Sequence, residues 1–283
     1  MINNTANTKN LPIFIINLEH EKEKKETMQK QLEKFGLDHE FIGAVNGYEL
    51  DDYEINKKYS QKKSIEVFKR ELSRGEIGCA LSHLQIYKKM LNENIEKAII
   101  LEDDVTLCDE FPNIIVNLDS ILVSYECILL GYDDHIKKDI FLYTSFWGNK
   151  KFINKFKLYR FVKVFFGTYG YIITNQGARK LYQKIDFIEK PIDHYTGDPE
   201  LLSSYAVAPR CVKISDDYKY NSTIDNERRI LKKSIQTVAY DTFVGIWLNR
   251  FRLLIRLYIL KILPARIARR WAKHVFRNRG KND

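Results

Sequence analysis

The chain has 283 residues, 45% of them hydrophobic and 13% aromatic, which is enough apolar material for a packed core and excludes a disordered protein. Its formal charge of +9 is placed unevenly: residues 1–241 carry 35 Lys and Arg against 36 Asp and Glu, and residues 242–283 carry 11 against 1. The body is thus close to neutral, which with the absence of a recognised nucleic-acid module argues against a nucleic-acid-binding protein, the non-enzymatic alternative.

Met1–Asn10 is polar and lacks the apolar core of a signal peptide, and no run of about 18 uncharged apolar residues could span a bilayer, so a cytosolic protein is expected. Ile13–Ile16 ends in Asn17 and predicts a buried strand. The charged segment Glu19–Lys34, with Met28, Leu32 and Phe35 about one turn apart, predicts a surface helix. Phe41–Val45 followed by Asn46-Gly47 reads as a strand and a turn, and residues 51–70 as helical. Ser73-Arg74-Gly75-Glu76 has the spacing of a capping box, in which the Ser hydroxyl covers an early amide and the Glu reaches back. Ile77, Leu81, Leu84 and Leu91 mark the apolar stripe of the helix it opens, to about Leu91.

Ala98–Leu101 is a second buried strand, and it ends in three successive acids, Glu102, Asp103 and Asp104. Glu110–Leu122 predicts a helix and Cys127–Leu130, before Gly131, a strand. Tyr132–Lys163 is aromatic, basic and irregular, as functional loops are. Gly170–Thr174 predicts a strand, with Asn175 capping a helix to about Ile185. Strands alternating with helices favour an α/β fold with a mainly parallel sheet and flanking helices.

The division expected is a catalytic domain over 1–241 and a helical extension over 242–283. Residues 251–263 are apolar on all sides apart from Arg252, Arg256 and Lys261. Beyond Pro264, Ile267, Trp271 and Val275 face one way and Arg266, Arg269, Arg270, Lys273 and Arg277 the other. A basic amphipathic helix over 265–279 suits an anionic membrane surface, with a solvated or partner-docking helix as the alternatives. Cys79, Cys108, Cys127 and Cys211 have neither zinc nor disulfide spacing and read as ordinary reduced cysteines.

The acidic triplet carries the chemistry. Open α/β sheets bind ligands at the carboxyl ends of their strands, and three adjacent acids repel one another unless a cation keeps them ionised. All-oxygen ligands suit Mg²⁺ or Mn²⁺. The alternative is an acidic turn in plain solvent.

Four blocks carry a family resemblance: Ile15-Ile16-Asn17-Leu18, Gly75-Glu76-Ile77-Gly78-Cys79-Ala80-Leu81-Ser82-His83, Leu101-Glu102-Asp103-Asp104, and Gly170-Tyr171-Ile172-Ile173-Thr174 with Gly177-Ala178. Over residues 11–200 the chain resembles glycosyltransferase family 25, whose bacterial members include lipooligosaccharide galactosyltransferases. The resemblance implies a GT-A-like, Rossmann-like fold, a UDP-sugar donor, Mn²⁺ or Mg²⁺, and transfer with inversion. It implies galactose from UDP-galactose as the donated sugar, with UDP-glucose or a UDP-N-acetylhexosamine as the alternatives. The acceptor would be a lipid-linked oligosaccharide, and the location cytoplasmic, on the inner face of the bacterial inner membrane.

By the same resemblance Asp104 is the expected metal ligand, with Glu102 or Asp103 sharing the ion or meeting the ribose. Asn17 is a candidate for the nucleoside or for a plain turn, and Glu76, Ser82 and His83 are candidates for the donor. Asp193, in a Pro-x-Asp stretch after Pro191, is the expected base, His194 could complete the metal shell, and Asp133, Asp134 and Asp198 compete for these roles. Arg74 offers a cation for a phosphate.

Overall fold

A computed structural model describes residues 11–133, 144–145, 150–167 and 169–218. Asp134 and the expected helices of the extension, including 265–279, lie outside the described residues.

The chain opens with strand β1 (Ile13–Asn17), helix α1 (Lys22–Lys34) and strand β2 (Glu40–Gly43). Two short helices, α2 (Asp52–Asn56) and α3 (Gln61–Phe68), lead to the long α4 (Arg74–Asn92). Strands β3 (Lys97–Glu102) and β4 (Val105–Leu107) flank the acidic turn, followed by α5 (Phe111–Val116) and β5 (Cys127–Leu129). A hairpin of β6 (Lys150–Ile153) and β7 (Phe156–Arg160) precedes β8 (Gly170–Thr174), α6 (Asn175–Lys184), α7 (Asp193–Thr196), β9 (Ser204–Ala208) and β10 (Val212–Ile214).

Among the described residues, eight strands form one sheet in the order β2-β1-β3-β8-β5-β9-β7-β6. Only β8 and β7 run against the common direction, so the sheet is mixed and mostly parallel, with helices packed on it, as expected. β4 and β10 pair separately, antiparallel. Successive strand residues point to opposite faces. Phe14, Ile16, Ile100 and Tyr171 therefore join α4 and α6 in one core, while Ile13, Ile15, Ile99 and Ile172 join Met28 and Leu32 of α1 in another. Covered on both faces, β1 and β3 read as unbroken apolar runs rather than as alternation.

Departures from the sequence expectation have local causes. Helix α1 starts at Lys22 because residues 18–21 form a turn, closed by Glu21 N donating to Leu18 O and by the Asn17 amide donating to Glu21 O at 3.1 Å. The helical stretch over 51–70 is broken around Tyr59, which bridges to Ile188. After Val116 the Asn117 amide bonds back to Asn113 O, and only a short 3-10 turn (Leu118–Ser120) follows. Thr174, not Asn175, caps α6, its hydroxyl accepting from Gly177 N; the Asn175 amide instead donates to Met90 O and Ile95 O, tying α4 to α6. The stretch read as irregular, 132–163, contains the β6–β7 hairpin.

Candidate active site

In β1 and β3, parallel neighbours with Ile16 opposite Glu102, the strands end together, so Asn17 and the acidic turn share one edge of the sheet. The Asn17 amide donates to Asp103 Oδ2 at 2.7 Å. β4 turns away to pair with β10, and Ser215 N donates to Asp104 O, pinning the turn from its far side. The antiparallel β8 starts at this edge, with Glu102 N donating to Tyr169 O.

Burial raises both aspartates. Asp103 is pushed up to about 6, against the Asn17 hydrogen bond and the charge of Lys24. Asp104 is pushed up to about 7 by burial and by the negative charge of Glu102. Lys24, on the first turn of α1 and 3.1 Å from Glu21, is the neighbouring cation; burial works against its charge, but Asp103, Glu21 and Asp104 together hold its pKa above the usual lysine value. Asp104 Oδ1 is buried with no hydrogen-bond partner among the described residues. Adjacent carboxylates held partly protonated, with an oxygen left over, fit a hard divalent cation.

On the α4 side, His83 is completely buried and its Nε2 lies 3.9 Å from Glu102 Oε1. Burial drops its pKa to about 3, opposed by Asp193, so the ring is neutral and this approach is not an ion pair. Nδ1 meets the Tyr171 hydroxyl at 2.7 Å, which meets the Tyr87 hydroxyl at 2.8 Å. Asp193 enters from α7: Gly167 N donates to its Oδ2 at 3.4 Å, and its Oδ1 is buried without a partner among the described residues. Asp133 lies beside Gly167 and donates its own amide to Phe166 O. Among the described residues, buried polar atoms on His83, Asp104 and Asp193 have no partner; His83 and Asp104 lie at the end of β3, and the charge of Asp193 acts on His83. Native folds leave few such atoms, and a catalytic role or a bound ion is among the explanations for those they leave.

The sequence profile described as Glycosyltransferase family 25 (LPS biosynthesis protein) matches residues 10–196. The chain belongs to glycosyltransferase family 25. Among relatives of this family 25 chain, a protein named Glycosyltransferase 25 family member from Aedes aegypti is 31% identical over 191 residues, covering 65% of this chain and 30% of the relative. Procollagen galactosyltransferase 2 from Homo sapiens is 27% identical over 211 residues, covering 69% and 31%. The chain thus spans less than a third of the length of these relatives. A crystal structure of a glycosyltransferase involved in the glycosylation of the major capsid of PBCV-1 matches at TM-score 0.26 and 11% identity over 61% of this chain and 65% of that one, too distant a likeness to bear on the fold.

Not every residue of the family 25 blocks faces the site. Expected at the donor, Glu76 is instead held in the fold: its carboxylate receives both Arg70 guanidinium nitrogens at 2.7 Å and Ser73 N at 3.0 Å, completing the capping box. Ser82, also expected at the donor, donates to Gly78 O and accepts from Val45 N, each at 2.8 Å. Gly78 makes that possible, since a Cβ there would lie 2.5 Å from Val45 O. Arg74 reaches Leu50 O and Asp52 rather than an open phosphate site. The His194 ring lies between Phe68 and Phe166, and among the described residues Asp104, Glu102 and His194 do not converge as a ligand set. Asp198 pairs with Lys190 at 3.5 Å and accepts from Glu200 N.

Lys24, Cys79, Tyr171 and Gly167 N were not singled out from sequence. Lys24 is lost among the charges of α1, and Gly167 acts through its backbone. The four-residue step from Cys79 to His83, which puts both on one helix face, was the one legible signal.

Proposed function

We propose that this chain is a metal-dependent, inverting hexosyltransferase that moves galactose from UDP-galactose to an oligosaccharide acceptor of the lipopolysaccharide type. The observation that carries the reading is the acidic turn at the joined ends of β1 and β3, with its unpartnered Asp104 oxygen. The family description names LPS biosynthesis, and relatives named procollagen galactosyltransferase support galactose over glucose or an N-acetylhexosamine.

Asp104, with Asp103 beside it, would hold Mn²⁺ or Mg²⁺, which would neutralise the charge that develops on a departing nucleoside diphosphate. Asn17 orients Asp103 and favours its ionised form by donating to it. Lys24 adds a cation beside the same carboxylates. Asp193, steadied by Gly167 N, is the base: it takes the proton of an acceptor hydroxyl as that oxygen bonds the anomeric carbon and the bond to the diphosphate breaks. A single displacement of this kind inverts the anomeric centre.

A lipid-linked acceptor would match the basic amphipathic stretch 265–279 and a position on the cytoplasmic face of the membrane. Sedimentation with anionic vesicles before and after deletion of residues 265–283 tests that placement; equal sedimentation would overturn it. Donor identity is tested by hydrolysis of each UDP-sugar with Mn²⁺ and no acceptor. Preference for UDP-galactose supports the assignment, and preference for another donor replaces it.

A further inference from the structure

Cys79 and His83 stand one helical turn apart on α4, and the carboxylate of Glu102 comes up beside them from the end of β3. One ligand-type atom from each of the three lies within 4.8 Å of the other two. His83 is completely buried, and its Nε2, the atom turned toward Glu102, has no hydrogen-bond partner among the described residues.

Neither tautomer of His83 satisfies that atom. If Nε2 carries the proton, 3.9 Å to Glu102 is too long for a hydrogen bond and a buried donor is unmade. If Nδ1 carries it and donates to Tyr171, an Nε2 lone pair faces a carboxylate, acceptor against acceptor. Each arrangement leaves a buried polar atom unsatisfied, and a cation between the two groups removes that cost. The chain Tyr87–Tyr171–His83 meanwhile holds the ring from behind, as outer hydrogen bonds do for metal-ligating histidines.

We propose that Cys79, His83 and Glu102 form a binding site for a soft or borderline divalent cation of the Zn²⁺ class, separate from the hard-cation site at Asp104. Thiolate, imidazole and carboxylate are the zinc donor set, whereas Mg²⁺ and Mn²⁺ favour oxygen. Zinc ligands bind at about 2.0–2.3 Å, so the three groups close slightly around the ion, and a fourth, tetrahedral position stays open. Cys79 and Glu102 are only partly buried, which gives the ion an entry path. The bound ion ties α4 to the end of β3 directly behind the acidic turn.

Cobalt(II) is the probe, because thiolate ligation produces an intense charge-transfer absorption in the near ultraviolet that oxygen ligation does not. Full-length protein is stripped with chelator, dialysed and titrated with Co²⁺ without nucleotide, then with Zn²⁺ in competition. The wild type and Asp104→Asn are expected to show the band at one equivalent, displaced by Zn²⁺. Cys79→Ser is expected to lose the band and to bind Zn²⁺ more than about tenfold more weakly, and a folded His83→Gln to behave likewise. Absence of the band in wild type, or its survival in Cys79→Ser, overturns the site. Loss of the band in Asp104→Asn assigns the ion to the acidic turn and overturns a separate site. Because the titration uses no sugar donor, its outcome is independent of the transferase reading.

Discussion

The amide of Asn17, at the last position of β1, donates to Asp103 Oδ2 at 2.7 Å across 86 residues of sequence. This bond couples the first strand to the acidic turn and opposes the burial that would otherwise protonate Asp103. Replacing Asn17 by Ala removes the donor and lets the Asp103 pKa rise above about 6. Mn²⁺ affinity is expected to fall about tenfold near neutral pH and less at higher pH, where Asp103 ionises anyway. Metal titrations of both proteins across pH check this; a pH-independent loss would mean that Asn17 acts through backbone structure alone.

The pH dependence of stability follows from the same burial. Asp104 titrates near 7 in the folded, metal-free chain against an ordinary 3.8, so the folded state binds more protons between those values. Stability from this group is full at the acid end of the window and is lost as pH rises through about 7. Asp104→Asn avoids the ionised state. Its stability relative to wild type is expected to increase between about pH 5 and pH 8, by roughly 2–3 kcal/mol without metal. Saturating Mn²⁺ should reverse the order. Denaturant unfolding at both pH values measures it, and a constant difference would contradict the burial argument.

Arg70 and Glu76 form a buried, two-point ion pair at the start of α4, with side-chain exposures of 11% and 1%. Arg70→Ala strands the carboxylate and should cost about 3–5 kcal/mol. Donor KM in the protein that remains folded should be unchanged, as it would not be if Glu76 contacted the nucleotide.

These readings show what the sequence could and could not disclose. β1, β3 and β8 are continuous apolar runs, and α4 announces itself by Ser73 and Glu76, so the half of the sheet that carries the site was legible. β4, β9 and β10 were not, because runs such as Val105-Thr106-Leu107 are too short to have a period and take their register from a partner about a hundred residues away. The same holds within the site. Asp104 and Asp193 were expected through the family resemblance, but nothing local to Glu76 reveals that Arg70 occupies it, and nothing local to His194 reveals Phe68 and Phe166 around its ring.

Asp193→Asn keeps the shape of the side chain and its bond from Gly167 N while removing its basicity. Transfer to an acceptor should fall by about 10²–10⁴-fold in kcat with donor KM little changed. Steady-state kinetics at saturating donor checks this; near-normal kcat would move the base to another group, with Asp133 beside Gly167 the first to test.

The central claim is that the acidic turn after β3, through Asp104 with Asp103 beside it, holds a cation which steadies a nucleoside diphosphate. Calorimetric binding of UDP, with and without Mn²⁺, to wild type and Asp104→Asn tests it most directly. Mn²⁺ should tighten UDP binding by at least about tenfold in wild type, equivalent to about 1.4 kcal/mol, and leave Asp104→Asn unaffected. UDP affinity independent of Mn²⁺ in wild type, or equally enhanced in the variant, would contradict it.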